Sequence, residues 1–185
     1  MNTIYNIYET TPDGHLKFYL AFINSSLTAF YWKLRFFDNK ETFPKIKKAP
    51  LLAIPIPDAT ETQRTLIESL VTCVSFAAAF VTNDNPAEQS ARDPLMLAYF
   101  EQILNALVYE LYFPEEVHGA GLHLFDLVEQ AKLPSFDILP EPDRIPHLRT
   151  LFESLYDGTH PLRIALTKLQ TLDTVRIIEG TECKK

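Results

Sequence analysis

The spacing of apolar residues along the chain predicts three long helices. Over His15 to Arg35, apolar side chains recur every three or four positions, as on the buried face of an amphipathic helix. The same spacing recurs over 60–81 and again over 93–111, so we expect a second and a third helix there. We also expect the first two helices to pack together.

Local signals mark where two of these helices start. Thr60 and Gln63 have the spacing of a capping box, in which each side chain binds a backbone N–H of the other residue. Asp93 fits a helix N-cap and Pro94 fits the first helical position, where no backbone N–H is needed.

The second half of the chain predicts shorter helices. Pro114 and the acids after it suit a helix start, but Gly119 and Gly121 weaken the helical pattern. The firm part of this helix is therefore expected over 122–131. A proline-rich stretch over 133–146 then separates that helix from a final pair. That pair is expected at about 148–156 and 161–172, and the segment 174–179 fits either helix or strand.

Two segments depart from the helical pattern. Ile4 to Glu9 alternates apolar and polar residues and predicts a short strand. The segment 43–57 carries Pro50, Pro55 and Pro57, which predict an extended link because proline removes backbone donors and fixes φ. The predicted fold is therefore mainly α, α+β at most: a helical bundle with a short N-terminal strand and a Pro-rich extended link.

A polar loop over 83–90 is the clearest candidate domain boundary. It divides the chain into a module over 1–83, built of strand, helix, basic extended link and helix, and an acidic helical tail over 91–185. The alternative is that the tail packs on the first part as one domain.

The charge of the chain is unevenly distributed. The 185 residues carry a formal net charge of −7, yet the window from Lys33 to Lys48 has a net charge of +4 and the remainder −11. A single basic face can approach a polyanion while the other faces repel it. The basic residues of the window are Lys33, Arg35, Lys40, Lys45, Lys47 and Lys48.

An ordered set of residues in the first third of the chain resembles a known family. Leu20, Ile23, Asn24, Ser25, Leu27 and Phe30 are followed by Phe43, Pro44, Ile46, Lys47, Lys48, Leu51, Leu52, Ile54, Pro55, Ile56 and Pro57. This order resembles the end of the TaqI-like C-terminal specificity domain of type IIG restriction-methyltransferases. Two later blocks, 107–128 and 160–180, resemble the helical tail that follows in such enzymes.

The resemblance implies a role in DNA recognition without catalysis. In the family, the loops that read bases lie mostly upstream of the Ile-Asn-Ser helix, and this chain begins a strand before it. The part present in this chain resembles the helices that support the base-reading loops. We therefore expect any DNA contact to be directed at phosphates, through the six basic residues of the window.

The chemistry of the parent enzymes is not expected in this chain. The Asn/Asp-Pro-Pro-Tyr/Phe loop of amino-methyltransferases and a glycine-rich cofactor loop are both absent from the sequence. Asp13, Asp38 and Lys40 supply the letters of a magnesium nuclease motif, but a predicted helix separates them. We expect neither catalytic residues nor a cofactor.

Cysteines and histidines give only weak signals. Cys73 and Cys183 lack metal-site spacing, and Cys73 is expected to be a buried thiol in an apolar helix. His118 and His123 flank two glycines, with a third metal ligand available from Glu115, Glu116 or Asp126. We favour helix-end caps and solvent-facing groups over a metal site.

Two functions follow from the sequence. The first is a non-catalytic fragment of a restriction-modification specificity region, with DNA and a methyltransferase or endonuclease polypeptide as partners. The alternative is a protein-interaction scaffold, whose acidic residues dock to such a partner without DNA contact: Glu101, Glu110, Glu115, Glu116, Asp126 and Glu129. The two cysteines indicate no disulfide framework, so we predict a reducing, cytoplasmic location. The N-terminus lacks the pattern of a secretory signal, and no membrane span is expected.

Overall fold

A computed structural model describes residues 7–8, 14–36, 48–82, 88–136 and 138–181 of the chain. These residues form ten helices, with no strand among them. The helices are α1 Leu16–Ile23, α2 Ser26–Phe36, α3 Lys48–Leu52, α4 Glu61–Thr82, α5 Asp93–Tyr112, α6 Pro114–Gly119, α7 Leu124–Gln130, α8 Glu141–Leu155, α9 Pro161–Leu169 and α10 Asp173–Ile178. The predicted mainly α class is confirmed, whereas most of the predicted strand lies outside the described residues.

Helix α5 forms the centre of the bundle. It packs against α1, α2, α4, α6, α7, α8 and α9. A helix in contact with this many neighbours buries a wide apolar face, and α5 buries ten of its 20 residues. These are Met96, Tyr99, Phe100, Ile103, Ala106, Leu107, Val108 and Tyr109, with Asp93 and Glu110 as its buried charged residues.

The predicted packing of the first two helices is confirmed. Helix α1 lies against α4 and also touches α5, and its Phe18 and Phe22 are almost fully buried. The buried core contains residues from both sides of the 83–90 loop, including Leu70 of α4 and Leu148 of α8. The division into a module and a tail stays a prediction.

The single helix predicted over 15–35 is wrong, because the chain breaks at Asn24 and Ser25. The Ser25 hydroxyl donates to the Phe22 carbonyl over 2.8 Å and accepts the Thr28 N–H over 3.1 Å. A serine that bonds its neighbouring backbone competes with the helical ladder and favours a helix start. The apolar spacing continues across the break, which is why periodicity alone hides it.

Proline positions explain two further corrections. The extended link predicted over 43–57 contains α3, in which Pro50 is the third residue. Likewise, α8 begins at Glu141 inside the stretch predicted to be a separator, with Pro142 in its first turn and Pro146 inside the helix. The first four N–H groups of a helix have no intrahelical partner, so Pro50 and Pro142 cost no hydrogen bond.

The start of α5 is one residue earlier than predicted, because Asp93 is its first residue and Arg92, not Asp93, is the N-cap. The start of α4 follows the sequence more closely. The Thr60 N–H donates to Gln63 Oε1 over 2.9 Å, and the Gln63 N–H donates to Thr60 Oγ1 over 3.3 Å, so the capping box is confirmed. The segment left open between helix and strand is helical, as α10.

One of the described helices, α4, is long and apolar enough to cross a membrane. A core helix of a folded protein meets the same criterion, and Ile67, Leu70 and Cys73 of α4 are fully buried. The expectation of no membrane span stays a prediction.

Candidate functional site

The described part of the basic window centres on the end of α2. Lys33 and Arg35 lie in its last turn, and both are exposed. Lys48 is the first residue of α3, while Lys40, Lys45 and Lys47 lie outside the described residues. Cations at a helix C-terminus also interact favourably with the helix dipole, so Lys33 and Arg35 have a structural use as well.

The start of α2 is fixed to the central helix. The Ser26 N–H, one of the first-turn donors that lack an intrahelical partner, donates to Asn105 Oδ1 over 2.8 Å. Leu27 packs against the buried core. The helix that carries Lys33 and Arg35 is therefore held on α5 at its opposite end.

A second contact joins the link after α3 to the end of α5. The Tyr112 hydroxyl donates to the Pro55 carbonyl, and burial raises the pKa of Tyr112 to about 12. Leu27, Tyr31, Ile54 and Tyr112 line a small apolar cleft of about 160 Å³ between α2 and the link. These contacts hold the chain on α5 at two points that flank the basic window, Ser26 before it and Pro55 after it.

The comparison with protein families identifies the segment that carries these contacts. Residues 1–56 match the family model of the TaqI-like C-terminal specificity domain. The resemblance stated from the sequence is thus confirmed for this part of the chain, called the specificity segment from here on. It includes α1, α2, α3 and the start of the link. Neither the curated proteins nor the solved structures gave a significant match.

The specificity segment is seated on helices that follow it in sequence. Phe18 and Phe22 of α1 lie in the shared core with Leu70 of α4 and Leu107 of α5. Helix α2 also contacts α10, far along the chain. The segment and the later helices therefore share one buried interior.

Of the other sequence candidates for catalysis, Cys73 lies among the residues that the structure describes. Asp13, Asp38 and Lys40 lie outside the described residues, as does Cys183. Cys73 is fully buried, and burial raises the pKa of its thiol to about 12. A protonated, enclosed thiol is not a nucleophile at neutral pH.

The structure brings His118 and His123 together with a residue that the sequence interpretation did not consider as a metal ligand. Their rings stack with centroids 4.9 Å apart, and His118 Nε2 lies 2.8 Å from Glu110 Oε1. Glu115, Glu116 and Asp126, the third ligands that the sequence offered for a metal site, are exposed. The sequence does carry one signal for Glu110, which lies on the same helical face as the buried Ile103 and Ala106. A carboxylate buried on such a face needs a specific partner.

The acidic surface is smaller than the sequence implied. Glu110 is buried and faces His118, so it is not available to a partner. Glu116 accepts a hydrogen bond from the Thr174 hydroxyl over 2.6 Å but is exposed. The remaining exposed carboxylates of the span are Glu101, Glu115, Asp126 and Glu129.

Proposed function

We propose that this chain is a non-catalytic part of a restriction-modification target-recognition region that supports DNA recognition by a methyltransferase or endonuclease polypeptide. The observation that carries the proposal is the match of residues 1–56 to a specificity domain. A domain of that kind serves DNA target recognition, and the seating of its helices on α5 suits a supporting role.

The proposed DNA contact is made by the basic window. Lys33 and Arg35 project from a helix whose other end is anchored by Asn105, so they offer positive charge at a defined place. Lysine acts on phosphate as a point charge, whereas arginine is the better reader of guanine. Only one arginine is in the window, so the contact positions the DNA and does not read its sequence.

A second candidate function is a scaffold that docks to a restriction-modification partner without touching DNA. It is favoured by Glu101, Glu115, Asp126 and Glu129, which are exposed on α5, α6 and α7. In that case the partner would present a basic surface, and the charges of the Lys33 to Lys48 window would only favour solvation of the link. The proposed location is the cytoplasm in either case.

Binding of the full chain to a fluorescently labelled random DNA duplex tests the proposal. Anisotropy is measured from low to moderate salt, with the wild-type chain beside a variant in which all six basic residues of the window are changed to glutamine. We expect binding at low salt that weakens steeply as salt rises, and a clear loss in the variant. Equal binding by both chains would contradict the proposed contact, and no binding at low salt by either would favour the scaffold.

A further inference from the structure

Three consecutive helices bring one carboxylate and two imidazoles to a common point. Glu110 lies near the end of α5, His118 in the last turn of α6, and His123 directly before α7. One possible ligand atom from each residue lies within 4.8 Å of the other two. Two imidazoles and one carboxylate form a ligand set that proteins use for zinc and similar ions.

The carboxylate of Glu110 is held in position by the backbone. Its Oε2 accepts the N–H groups of Leu124 and Phe125, over 2.8 and 3.0 Å, at the start of α7. The side chain is only 7% exposed. These bonds fix the orientation of the carboxylate and leave Oε1 directed at His118, as outer partners do for metal-bound groups.

The two imidazoles lie on the solvent side of this carboxylate. His118 is 45% exposed in its side chain, and His123 is exposed as well. Their planes meet at 26° with centroids 4.9 Å apart, and one ring nitrogen of each lies within 4.8 Å of the other and of a Glu110 oxygen. An ion can enter from solvent, and water can complete its coordination.

We propose that Glu110, His118 and His123 bind one divalent transition-metal ion of the zinc class. Bonds of about 2.0 to 2.2 Å to nitrogen and oxygen place neighbouring ligand atoms of a tetrahedral site somewhat more than 3 Å apart. Glu110 Oε1 and His118 Nε2 lie 2.8 Å apart, and all three ligand atoms lie within 4.8 Å of one another, so these distances span the required separation. Small rotations of the exposed rings are enough to reach metal-bonding geometry. Magnesium and calcium prefer oxygen ligands and fit this set poorly.

Such an ion would link α5, α6 and α7. A ligand that binds the folded chain and not the unfolded chain stabilises the fold, and here it would tie α6 and the turn after it to the central helix. The bound form of imidazole is neutral, so protons compete with the metal and affinity falls as pH is lowered.

Isothermal titration of the full chain with Zn²⁺, together with thermal unfolding, tests this site. We expect one ion per chain and, at a hundredfold excess over Kd, a rise in Tm of roughly 5 °C or more. Mg²⁺ at the same concentration should give no rise. His118→Gln and His123→Gln should each lower the zinc affinity at least about tenfold, because even the loss of a residue that only supports a metal ligand costs about 10- to 100-fold.

His147→Gln is the matched control, because His147 is an exposed histidine on α8. It should keep the wild-type affinity and the full rise in Tm. Because His123 makes no hydrogen bond to Glu110, its variant tests the ion separately from the His118 to Glu110 contact. The proposal is overturned if the wild-type chain binds no zinc, or if binding survives both His118→Gln and His123→Gln.

Discussion

The Ser26 N–H of the specificity segment donates a hydrogen bond to Asn105 Oδ1 of the central helix, over 2.8 Å. This bond satisfies a donor that α2 cannot satisfy itself, and it lies at the end of α2 opposite to Lys33 and Arg35. It therefore helps to hold α2, whose last turn carries Lys33 and Arg35, in place on α5.

Changing Asn105 to alanine should destabilise the fold by about 1 kcal/mol, the usual net cost of a lost hydrogen bond. The measurement is urea unfolding at neutral pH, followed by circular dichroism. Gln102→Ala is the control, since Gln102 is half-buried on the same helix. A loss as large in the control would show that Asn105 matters for general packing and not for the Ser26 bond.

The buried carboxylate of Asp93 depends on Arg149. Arg149 donates from Nε to Oδ1 over 2.8 Å and from Nη2 to Oδ2 over 2.6 Å, while the Ser90 N–H donates to Oδ2 over 2.7 Å. The Asp93 side chain is only 2% exposed. Arg149→Met should therefore cost about 3 kcal/mol, at the low end for breaking a buried pair because Arg149 is itself 34% exposed, since it leaves a buried charge without its cation.

This cost should depend on pH in a defined direction. The Arg149 hydrogen bonds hold the pKa of Asp93 below its usual range. The stabilisation is then fully present above the ordinary aspartate pKa of about 3.9 and is lost as pH falls through the lowered pKa. Urea unfolding of the wild-type and Arg149→Met chains from pH 7 downward should show their difference shrinking below about pH 4.

Arg92→Met is the comparison for this pair. Arg92 and Glu153 lie 2.8 Å apart, but both side chains are about half exposed, at 52% and 54%. An exposed ion pair contributes less than about 1 kcal/mol. Equal costs for Arg92→Met and Arg149→Met, or a cost of Arg149→Met that stays constant with pH, would contradict the account of Asp93.

Cys73 should be inert in the folded chain. It is fully buried, and burial raises the pKa of its thiol to about 12. In a Cys183→Ser variant, Cys73 is the remaining thiol of the two in the sequence. At pH 8 this variant should react with a thiol reagent only after denaturant is added, and then with one thiol per chain. Fast labelling without denaturant would contradict the burial of Cys73.

Features that depend on neighbours in sequence could be predicted. The Thr60 and Gln63 capping box needs only residues three positions apart, and both of its hydrogen bonds form. The apolar rows of α4 and α5 are long enough to define their helices from spacing alone. The family resemblance was likewise carried by an ordered local set of residues.

Features that depend on a side chain competing with the backbone, or on partners distant in sequence, could not be predicted. The break at Ser25 arises because its side chain competes with the hydrogen bonds of the helix. The proline-rich stretch 133–146 predicts a separator, whereas Pro142 suits the first turn of α8. Glu110 lies eight residues before His118 and on a different helix, so only the turn between α5 and α6 brings them together. Lys40, Lys45 and Lys47 lie outside the described residues, and their role stays a prediction.

The salt dependence of DNA binding by two matched variants tests the central claim most directly. One variant carries Lys33→Gln and Arg35→Gln in the exposed last turn of α2, and the other carries Lys132→Gln and Lys168→Gln at exposed positions after α7 and on α9. Both lose two positive charges, so their net charges are equal.

The quantity compared is the slope of the logarithm of the binding constant against the logarithm of salt concentration, for a random duplex. For two lost phosphate contacts, the slope of the Lys33 and Arg35 variant should be shallower by about 1.8, and the other variant should keep the wild-type slope. Equal slopes for the two variants would contradict the proposal that the turn of Lys33 and Arg35 contacts DNA.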